Sequence, residues 1–392
     1  MKKISARWRN LYTKAGFSSF MASLLAILCG LVVGFVVLLV ADPANAFWGL
    51  LAILTGGLSD MKNLGQVLYA ATPIILTGLS VGFANKTGLF NIGASGQFIV
   101  GAYVAVLMGV KCTFIPGPLL WLACLLGAML AGAVWGLVPG FLKAVCNVNE
   151  VIACIMMNYI GMYGVNFLVV ETIFDSQKNQ SLPVAANANA PKLGMDQIFR
   201  SGASASSVNA GIFVAILAGI VIYFLIAKTK FGYELKACGY NRDAAKYAGI
   251  NEKRSIILSM AIAGSLCALG GACLYLAGAG KGIEVVDTLA AEGFNGIPVA
   301  LLGLNNPIGI IFAGLFMAYL NQGGFNMQLY GFAPQVIEII IAVIIYFAAF
   351  SLLLRGLVTK VVKRAGKGKA SSQNANAEPA KDGGTVKGGG EE

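Results

Sequence analysis

The sequence predicts an all-α, polytopic membrane protein with about ten transmembrane helices. Of its 392 residues, 57% are hydrophobic and 11% are charged, whereas soluble domains carry about 25% charged residues. Several uncharged runs reach the ~20 residues that an α-helix needs to cross a bilayer. The net charge of +11 comes from Lys and Arg clustered in polar segments, as is typical of cytoplasmic loops. The charge pattern therefore indicates contact with a lipid bilayer and no nucleic-acid surface.

Ten apolar runs are predicted to cross the membrane, and two of them are short for a straight span. They cover residues 20–41, 64–84, 89–110, 119–142, 151–170, 208–227, 256–279, 293–304, 308–321 and 336–354. This division predicts a cytosolic N-terminal segment at 1–19, a transmembrane domain at 20–358 and a disordered cytosolic tail at 359–392. Ten crossings place both chain ends in the cytoplasm.

The distribution of positive charge supports this topology. With ten crossings, cytoplasmic segments hold 22 of the 28 Lys and Arg residues, and external segments hold six. Residues 171–207 then face outside, and residues 231–255 face the cytosol. Ala44-Asn45-Ala46 resembles a signal-peptidase site, but the preceding apolar run exceeds the ~7–15 residues of a signal peptide. We therefore expect an uncleaved first span.

The residue types exclude several kinds of chemistry. The sequence has no His, which removes imidazole metal ligands and His-based catalysis. The eight Cys show no CxxC spacing, so no metal site is predicted. The GAGKG run at 278–282 lacks the P-loop frame, because Tyr275 stands where the first Gly would be. We expect no cofactor bound by this chain, and any ATP must be used by a partner subunit.

Two features inside the predicted spans have a structural and a functional interpretation. Small residues recur every four positions at Ala128, Gly132, Gly136 and Gly140, which predicts a face for close helix packing. Glu338 is the one acid predicted inside a span. It is expected near the outer interface, with a buried functional carboxylate as the alternative.

The basic segment 231–255 predicts a short helix between two spans. Residues 242–247 would form the helix, with Asn241 as N-cap and Gly249 as the stop. A capped basic helix of this kind suits a cytoplasmic docking surface. A plain connecting loop that follows the positive-inside rule is the alternative.

Two polar, glycine-containing segments interrupt the apolar pattern, at residues 82–101 and 292–306. Interrupted helices in membranes often line transport paths, because their freed backbone groups must face protein or water. Each segment has a Phe-Asn step, Phe90-Asn91 and Phe294-Asn295, consistent with an inverted repeat of spans two to five against seven to ten. The alternative for each Asn, and for Asn158, is a helix cap or a hydrogen bond between helices.

Four motifs in these segments resemble one protein family. TGLFNIGASGQ (87–97), NEVIACIMMNY (149–159), ELKACGYNRDAAKYAGI (234–250) and GFNGIPVALLG (293–303) look like the permease subunits of bacterial ATP-binding cassette (ABC) importers of the ribose and branched-chain amino-acid type. The nearest likeness is to the nucleoside-uptake branch. The resemblance covers about residues 20–355, with the motifs in the same order.

This resemblance implies a ten-helix permease in the bacterial plasma membrane. It would work with an ATPase subunit, a second related permease and an extracytoplasmic substrate-binding lipoprotein. The resemblance also implies a coupling helix that docks on the ATPase, carried by Gly239, Asn241, Ala244, Ala245 and Gly249. Two positions depart from the family pattern, because Ser95 stands where Glu is usual and Asn295 where Asp is common. Both exchanges replace a carboxylate with a neutral group, so the sequence does not decide whether the pathway carries charge.

The expected function is translocation of nucleosides, with no bond-breaking chemistry in this chain. Amides and a nearby aromatic ring would contact a neutral nucleoside along the predicted pathway of Asn91, Gln97, Asn158, Phe294 and Asn295. A simple sugar such as ribose is an alternative substrate. An ion-coupled secondary transporter is a further alternative, but it would need an ionisable relay, for which Glu338 is the available candidate.

Overall fold

A computed structural model of the chain describes residues 15–349, which are mostly helical. The predicted tail at 359–392 and most of the predicted segment 1–19 lie outside the described residues. Residues 30–345 form one compact unit, and every contact given below lies within it. The α-helices are α1 Ala15–Ala41, α2 Ala46–Thr55, α3 Met61–Lys86, α4 Ala94–Lys111, α5 Gly117–Cys146, α6 Glu150–Thr172, α7 Met195–Ile198, α8 Gly211–Lys228, α9 Lys230–Tyr240, α10 Arg242–Tyr247, α11 Glu252–Tyr275, α12 Ala291–Phe294, α13 Gly296–Leu302, α14 Pro307–Met327 and α15 Pro334–Ala349.

Seven helices of the described part are long and apolar enough to cross a membrane. They are α3, α4, α5, α6, α8, α11 and α14, and shorter apolar helices occur within α1, near α2 and within α15. The chain is therefore an all-α polytopic membrane protein, as the composition predicts. Among the seven, α3 and α11 are the most buried and form the centre of the unit.

The predicted span at 293–304 differs from a continuous helix. It consists of α12, with four residues, and α13, with seven. Seven residues rise about 10 Å, which is a third of a bilayer core. Pro298 explains the break, because its missing N–H cannot donate to the carbonyl of Phe294 in a continuous helix.

A second difference from the predicted spans is α2, a ten-residue apolar helix that the sequence pattern did not predict.

The predicted small-residue face packs α5 directly against α11. A Cβ atom on Gly264 would lie 2.2 Å from the carbonyl oxygen of Gly132, and one on Gly136 would lie 2.3 Å from that of Met260. Only glycine allows backbones to approach this closely, so the face is a packing interface, as predicted.

Short strands lie between α6 and α8, in the segment predicted to face outside. Strands β1 (Phe174–Asp175) and β2 (Gln180–Ser181) form one antiparallel hairpin, and β3 (Arg200–Ser201) and β4 (Ser204–Ala205) form another. A 3-10 turn at Ala186–Ala188 and α7 separate them.

Glu338 on α15 is exposed in the single chain, so the alternative of a buried carboxylate is not what the structure shows.

Candidate transport pathway and coupling surface

The two interrupted segments predicted from the sequence contact each other. Asn85 at the end of α3 donates a hydrogen bond to Asn305 Oδ1 at 3.0 Å. A Cβ atom on Gly293 would lie 2.4 Å from the Cα of Ser95, so α12 packs closely on the first turn of α4. Ser95 Oγ also donates to the carbonyl of Ala290 at 2.9 Å. The polar residues of both segments therefore belong to one region of the protein.

Asn91 and Gln97 form a closed pair of amides. Asn91 Nδ2 donates to Gln97 Oε1 at 2.8 Å, and Gln97 Nε2 donates back to Asn91 Oδ1 at 3.1 Å. Asn91 Nδ2 also lies 3.0 Å from the hydroxyl of Ser80 on α3. All three side chains are buried. Because buried amides are costly without partners, this reciprocal pairing stabilises the non-helical turn before α4.

Asn158 joins α6 to the start of α4. Its Oδ1 accepts a hydrogen bond from the N–H of Gly96 at 2.8 Å, and its Nδ2 donates to the carbonyl of Ile92 at 3.0 Å. The N–H of Gly96 is one of the first four in α4 and has no partner within the helix. The hydrogen bond between helices that the sequence left as an alternative is therefore present.

A polar cavity of about 430 Å³ lies beside Asn158. Its wall includes Ser95 on α4, Asn158 and Asn166 on α6, and Tyr275 at the end of α11. Residues 280–292 complete the lining and contribute Lys281, Glu284 and Glu292. The volume falls within the ~300–1,000 Å³ of sites for small molecules. The mixture of amides, hydroxyls and carboxylates suits a polar ligand rather than a hydrocarbon.

The five predicted pathway residues do not all reach this cavity. Asn158 borders it, whereas Asn91, Gln97, Phe294 and Asn295 are absent from its lining. Phe294 is half-buried, and Asn295 is exposed between α12 and α13. Their role as substrate contacts remains a prediction.

Sequence reasoning missed several residues that line the cavity. Asn166 follows Asn158 by eight residues, which places both toward one side of α6, with Met162 between them. That periodicity was an available signal. The lining residues of the 276–290 segment carry no local pattern, because their placement depends on contacts with distant parts of the chain.

The predicted short helix at 242–247 is present as α10. Asn241 Oδ1 accepts a hydrogen bond from the N–H of Ala244 at 3.0 Å, and Gly249 has a φ of +80° just after the helix. These are the N-cap and the stop that the sequence predicted. Helix α9 precedes it, and its N-cap is Thr229, whose hydroxyl accepts a hydrogen bond from the N–H of Gly232.

The residues of this segment divide into an outward and an inward set. Tyr240 and Tyr247 are 91% and 94% exposed, and Ala244 is also exposed. In contrast, Ala245 is 3% exposed. A Cβ atom on Gly239 would lie 2.4 Å from the carbonyl oxygen of Lys86. Ala245 therefore packs within this chain. Gly239 is exposed on one side and lies against the backbone of Lys86 on the other, and Tyr240, Ala244 and Tyr247 form the outward surface.

Comparison with known proteins places the chain in a family. The family described as branched-chain amino acid transport system / permease component matches residues 63–349. The chain belongs to this family. Together with its apolar helices, this makes the protein a multi-pass membrane permease.

Three relatives illustrate what the chain is similar to. It is 38% identical to the guanosine ABC transporter permease NupP of Bacillus subtilis (strain 168) over 352 residues, which cover 88% of this chain and 98% of NupP. It is 34% identical to the nucleoside ABC transporter permease NupB of Lactococcus lactis subsp. cremoris (strain MG1363) over 86% of this chain and 92% of NupB.

The third relative has a different named substrate. The chain is 33% identical to the glucose ABC transporter permease TsgB13 of Haloferax volcanii, over 82% of this chain and 85% of TsgB13. No solved structure matches the chain significantly. The resemblance to ABC importer permeases, drawn from the four motifs, is therefore confirmed at the level of the family.

Proposed function

We propose that this chain is the permease subunit of an ABC importer that moves nucleosides into the cell. The observation that carries the proposal is the polar cavity beside Asn158, in a chain whose relatives NupP and NupB are named for guanosine and nucleoside transport. The cavity combines hydrogen-bond donors and acceptors in a volume suited to a small polar molecule. A nucleoside is uncharged and presents ribose hydroxyls and polar base edges to such a wall.

We assign Glu292 as the side chain that accepts hydrogen bonds from the ribose hydroxyl groups. It lies half-buried in the first turn of α12, on the cavity wall. A carboxylate accepts hydrogen bonds from hydroxyl groups, and such charge-assisted bonds are stronger than neutral ones. The same negative charge disfavours phosphorylated ligands, because like charges repel. Glu292 therefore favours a nucleoside over a nucleotide.

Amides and a hydroxyl supply the remaining proposed contacts. Asn166 donates through Nδ2 to the carbonyl of Val286 at 2.9 Å, which leaves its Oδ1 as an acceptor for a base. Ser95 and Asn158 form the part of the wall nearest α4. These contacts are few and neutral, which suits a transit site that must also release its ligand.

The predicted pathway residues outside the cavity have two proposed roles. Asn91 and Gln97 hold the turn that presents Ser95 to the cavity. Phe294 and Asn295 follow Glu292 directly in the chain, and we place them at the next step of the path.

The proposed topology has ten crossings, with both chain ends in the cytoplasm. Seven long helices, α1, α15 and the interrupted α12–α13 pair would supply them. The inverted repeat would relate the spans before the external hairpins to those after α10. The Phe-Asn step precedes α4 in the first half and lies at the junction of α12 and α13 in the second.

The proposed energy source is a separate ATPase subunit that docks on α9 and α10. Ala244, Tyr240 and Tyr247 form the outward face of these helices, beside a groove of about 490 Å³. In this proposal ATP is used by that partner, and this chain has neither an ATPase site nor an enzymatic activity. A second related permease and an external substrate-binding lipoprotein complete the importer.

A simple sugar is the second candidate substrate. The relative TsgB13, named for glucose, favours it. Hydroxyl groups of a sugar would use the same carboxylate and amides. An ion-coupled mechanism remains less favoured, since it needs an ionisable relay within the spans.

The test is uptake by vesicles that contain the complete importer. We expect uptake of radiolabelled guanosine and uridine that requires ATP and persists with a proton ionophore. Glucose and ribose serve as the competing substrates. ATP-driven sugar uptake without nucleoside uptake would overturn the substrate, and ionophore-sensitive uptake without ATP would overturn the ABC mechanism.

A Glu292→Gln variant tests the assigned contact in the same vesicles. We expect weaker nucleoside transport, by about tenfold, because a neutral amide accepts a weaker hydrogen bond than a carboxylate. Glu171→Gln is the matched control, since Glu171 is exposed at the end of α6 and absent from the cavity lining. Equal transport by the two variants would show that Glu292 does not contact the substrate.

A further inference from the structure

A non-helical segment of the chain closes one side of the cavity. Residues 276–290 connect α11 to α12, and we name this segment the strap. Most of its residues from 280 onward line the cavity. One wall of the cavity is therefore this loop, and helices α4 and α6 form other walls.

The strap pairs with the β1–β2 hairpin through a short antiparallel ladder. The N–H of Ser181 donates to the carbonyl of Ile283 at 2.8 Å, and the N–H of Val285 donates to that of Asn179 at 3.1 Å. Gln180 and Glu284 face each other between these two hydrogen bonds. Both of their side chains line the cavity, so this ladder forms part of the cavity wall on the side of the β1–β2 hairpin.

The cavity extends from this ladder deep into the protein. Asn158 lines its far end, 14 residues before Thr172, the last residue of α6. At 1.5 Å per residue the far end lies about 21 Å below the end of the helix. The β1–β2 hairpin follows that same end of α6. A molecule that arrives from the hairpin side meets the ladder before it meets Asn158.

Every charged side chain that lines the cavity comes from the strap or directly follows it. Lys281 and Glu284 lie on the strap, and Glu292 lies in the next helix. The helices α4, α6 and α11 contribute neutral lining residues among those described. Movement of the strap would therefore change the charge around a bound ligand while the helical wall stays in place.

The attachments of the strap are uneven along its length. Its middle is held by the ladder and by the buried side chain of Ile283. Two side-chain hydrogen bonds add to the ladder, from the N–H of Ile283 to Ser181 Oγ at 3.0 Å and from Asn179 Nδ2 to the carbonyl of Val285 at 3.1 Å. Its second half is held by single side-chain hydrogen bonds, from Asn166 to Val286 and from Ser95 to Ala290, each at 2.9 Å. Its first half begins at the buried Leu276, whose carbonyl accepts a hydrogen bond from the N–H of Ala190 at 2.7 Å. Gly278 and Gly280 follow, both with positive φ, and glycines often act as hinges where loops close over sites.

We propose that the strap is the gate on the hairpin side of the cavity. Separation of the ladder between residues 179–181 and 283–285 opens the route to Asn158, and its formation closes the site. This inference rests on the proposed import function and adds a moving element to it. Opening breaks the two backbone hydrogen bonds of the ladder and the two side-chain hydrogen bonds beside them, and it leaves the contacts between α4 and α6 intact.

A disulfide across the ladder tests the gate. Gln180 and Glu284 occupy a non-hydrogen-bonded antiparallel pair, where Cα atoms are about 4.5 Å apart, within reach of a disulfide. In a Gln180→Cys/Glu284→Cys variant of the complete importer, oxidation should lower nucleoside uptake about tenfold or more, and reduction should restore it. Mass tagging of free thiols measures how much disulfide forms.

The control places a disulfide in the other hairpin. Ser201 and Ser204 are register partners in β3–β4, and neither lines the cavity. Oxidation of a Ser201→Cys/Ser204→Cys variant should leave uptake unchanged. The native cysteines are common to both variants, so any effect of oxidising them appears in the control as well.

Each outcome has a distinct meaning. Normal uptake by the oxidised Gln180→Cys/Glu284→Cys variant, with the disulfide formed, would overturn the gate. Failure of this pair to oxidise, in protein that inserts and folds like wild type, would contradict the closed ladder itself. Absence of nucleoside uptake in the wild-type importer would instead overturn the proposed substrate. In that case sugar uptake by the two cysteine variants still decides whether the strap is a gate.

Discussion

Asn158 holds Gly96 at the point where α6 meets the start of α4. The Oδ1 atom of Asn158 accepts a hydrogen bond from the Gly96 N–H at 2.8 Å, and a Cβ atom on Gly96 would lie 2.9 Å from the Cα of Asn158. The contact combines a satisfied buried amide with a close backbone approach. It also positions one wall of the polar cavity, which Asn158 and Ser95 both line.

The first prediction concerns the space at Gly96. Gly96→Ala should destabilise the permease by about 1–3 kcal/mol, because the added methyl group meets backbone atoms of α6 that cannot rotate away. The control is Gly164→Ala on α6, where a Cβ atom would meet nothing within 4 Å. Alanine there should be neutral or stabilising, since it favours the helix. Thermal unfolding in detergent measures both, and equal melting temperatures would contradict the close approach.

The second prediction concerns the amide of Asn158. Asn158→Ala should lower both stability and uptake, because it leaves the Gly96 N–H and the Ile92 carbonyl buried without partners, at about 1–3 kcal/mol for each group. Asn158→Asp keeps an acceptor for Gly96 but cannot donate to Ile92. At neutral pH the stability and uptake of Asn158→Asp should therefore lie between those of wild type and Asn158→Ala. An Asn158→Ala variant that is as stable as wild type, but transports poorly, would indicate a substrate contact alone.

The third prediction separates docking from folding on the cytosolic segment. Ala244→Arg should abolish ATP-driven uptake while leaving the melting temperature unchanged, because Ala244 is exposed on α10. Gly239→Leu should instead destabilise the protein, since a side chain there meets the carbonyl of Lys86. Ser201→Arg is an exposed control on the hairpin side. Normal uptake by Ala244→Arg would show that α10 is a connector rather than a docking surface.

The fourth prediction tests topology with two native cysteines. Cys112 follows α4 and is half-buried, whereas Cys146 ends α5 and is exposed. In the proposed topology they lie on opposite sides of the membrane, Cys112 outside and Cys146 inside. In variants that retain one of the two as their single cysteine, a membrane-impermeant maleimide should label Cys112 in intact cells and Cys146 after permeabilisation. Labelling of Cys146 in intact cells would overturn the ten-crossing topology.

The fifth prediction concerns the packing of α5 on α11. Gly132→Val should reduce the amount of folded protein, because a Cβ atom there would lie 2.4 Å from the carbonyl oxygen of Gly264. Leu130→Val is the control on the exposed side of the same helix. Helix propensity predicts the opposite order of yields, because Gly→Val improves it and Leu→Val lowers it, so a lower yield of Gly132→Val reflects the close approach of the two helices. Gel filtration in detergent gives the yield of monodisperse protein.

Local patterns were enough to predict the class of protein and some of its elements. Hydropathy identified the long apolar helices, because the bilayer demands continuous apolar length in a single segment. Asn241 and Gly249 identified α10, because the cap and the stop of a helix bond within a few residues of the chain. The four-residue spacing of small residues on α5 likewise predicted a close contact without naming the partner helix.

The tertiary structure decided which polar residues meet. An amide in a membrane helix can cap a turn, bond another helix or contact a substrate, and its sequence neighbours do not distinguish these roles. Asn158 forms a hydrogen bond with Gly96, 62 residues away in the chain, and Asn91 forms one with Gln97. The cavity, its carboxylate Glu292 and the strap over it arise from segments far apart in the chain. Their placement follows from packing and hydrogen bonding in three dimensions, which local propensity does not encode.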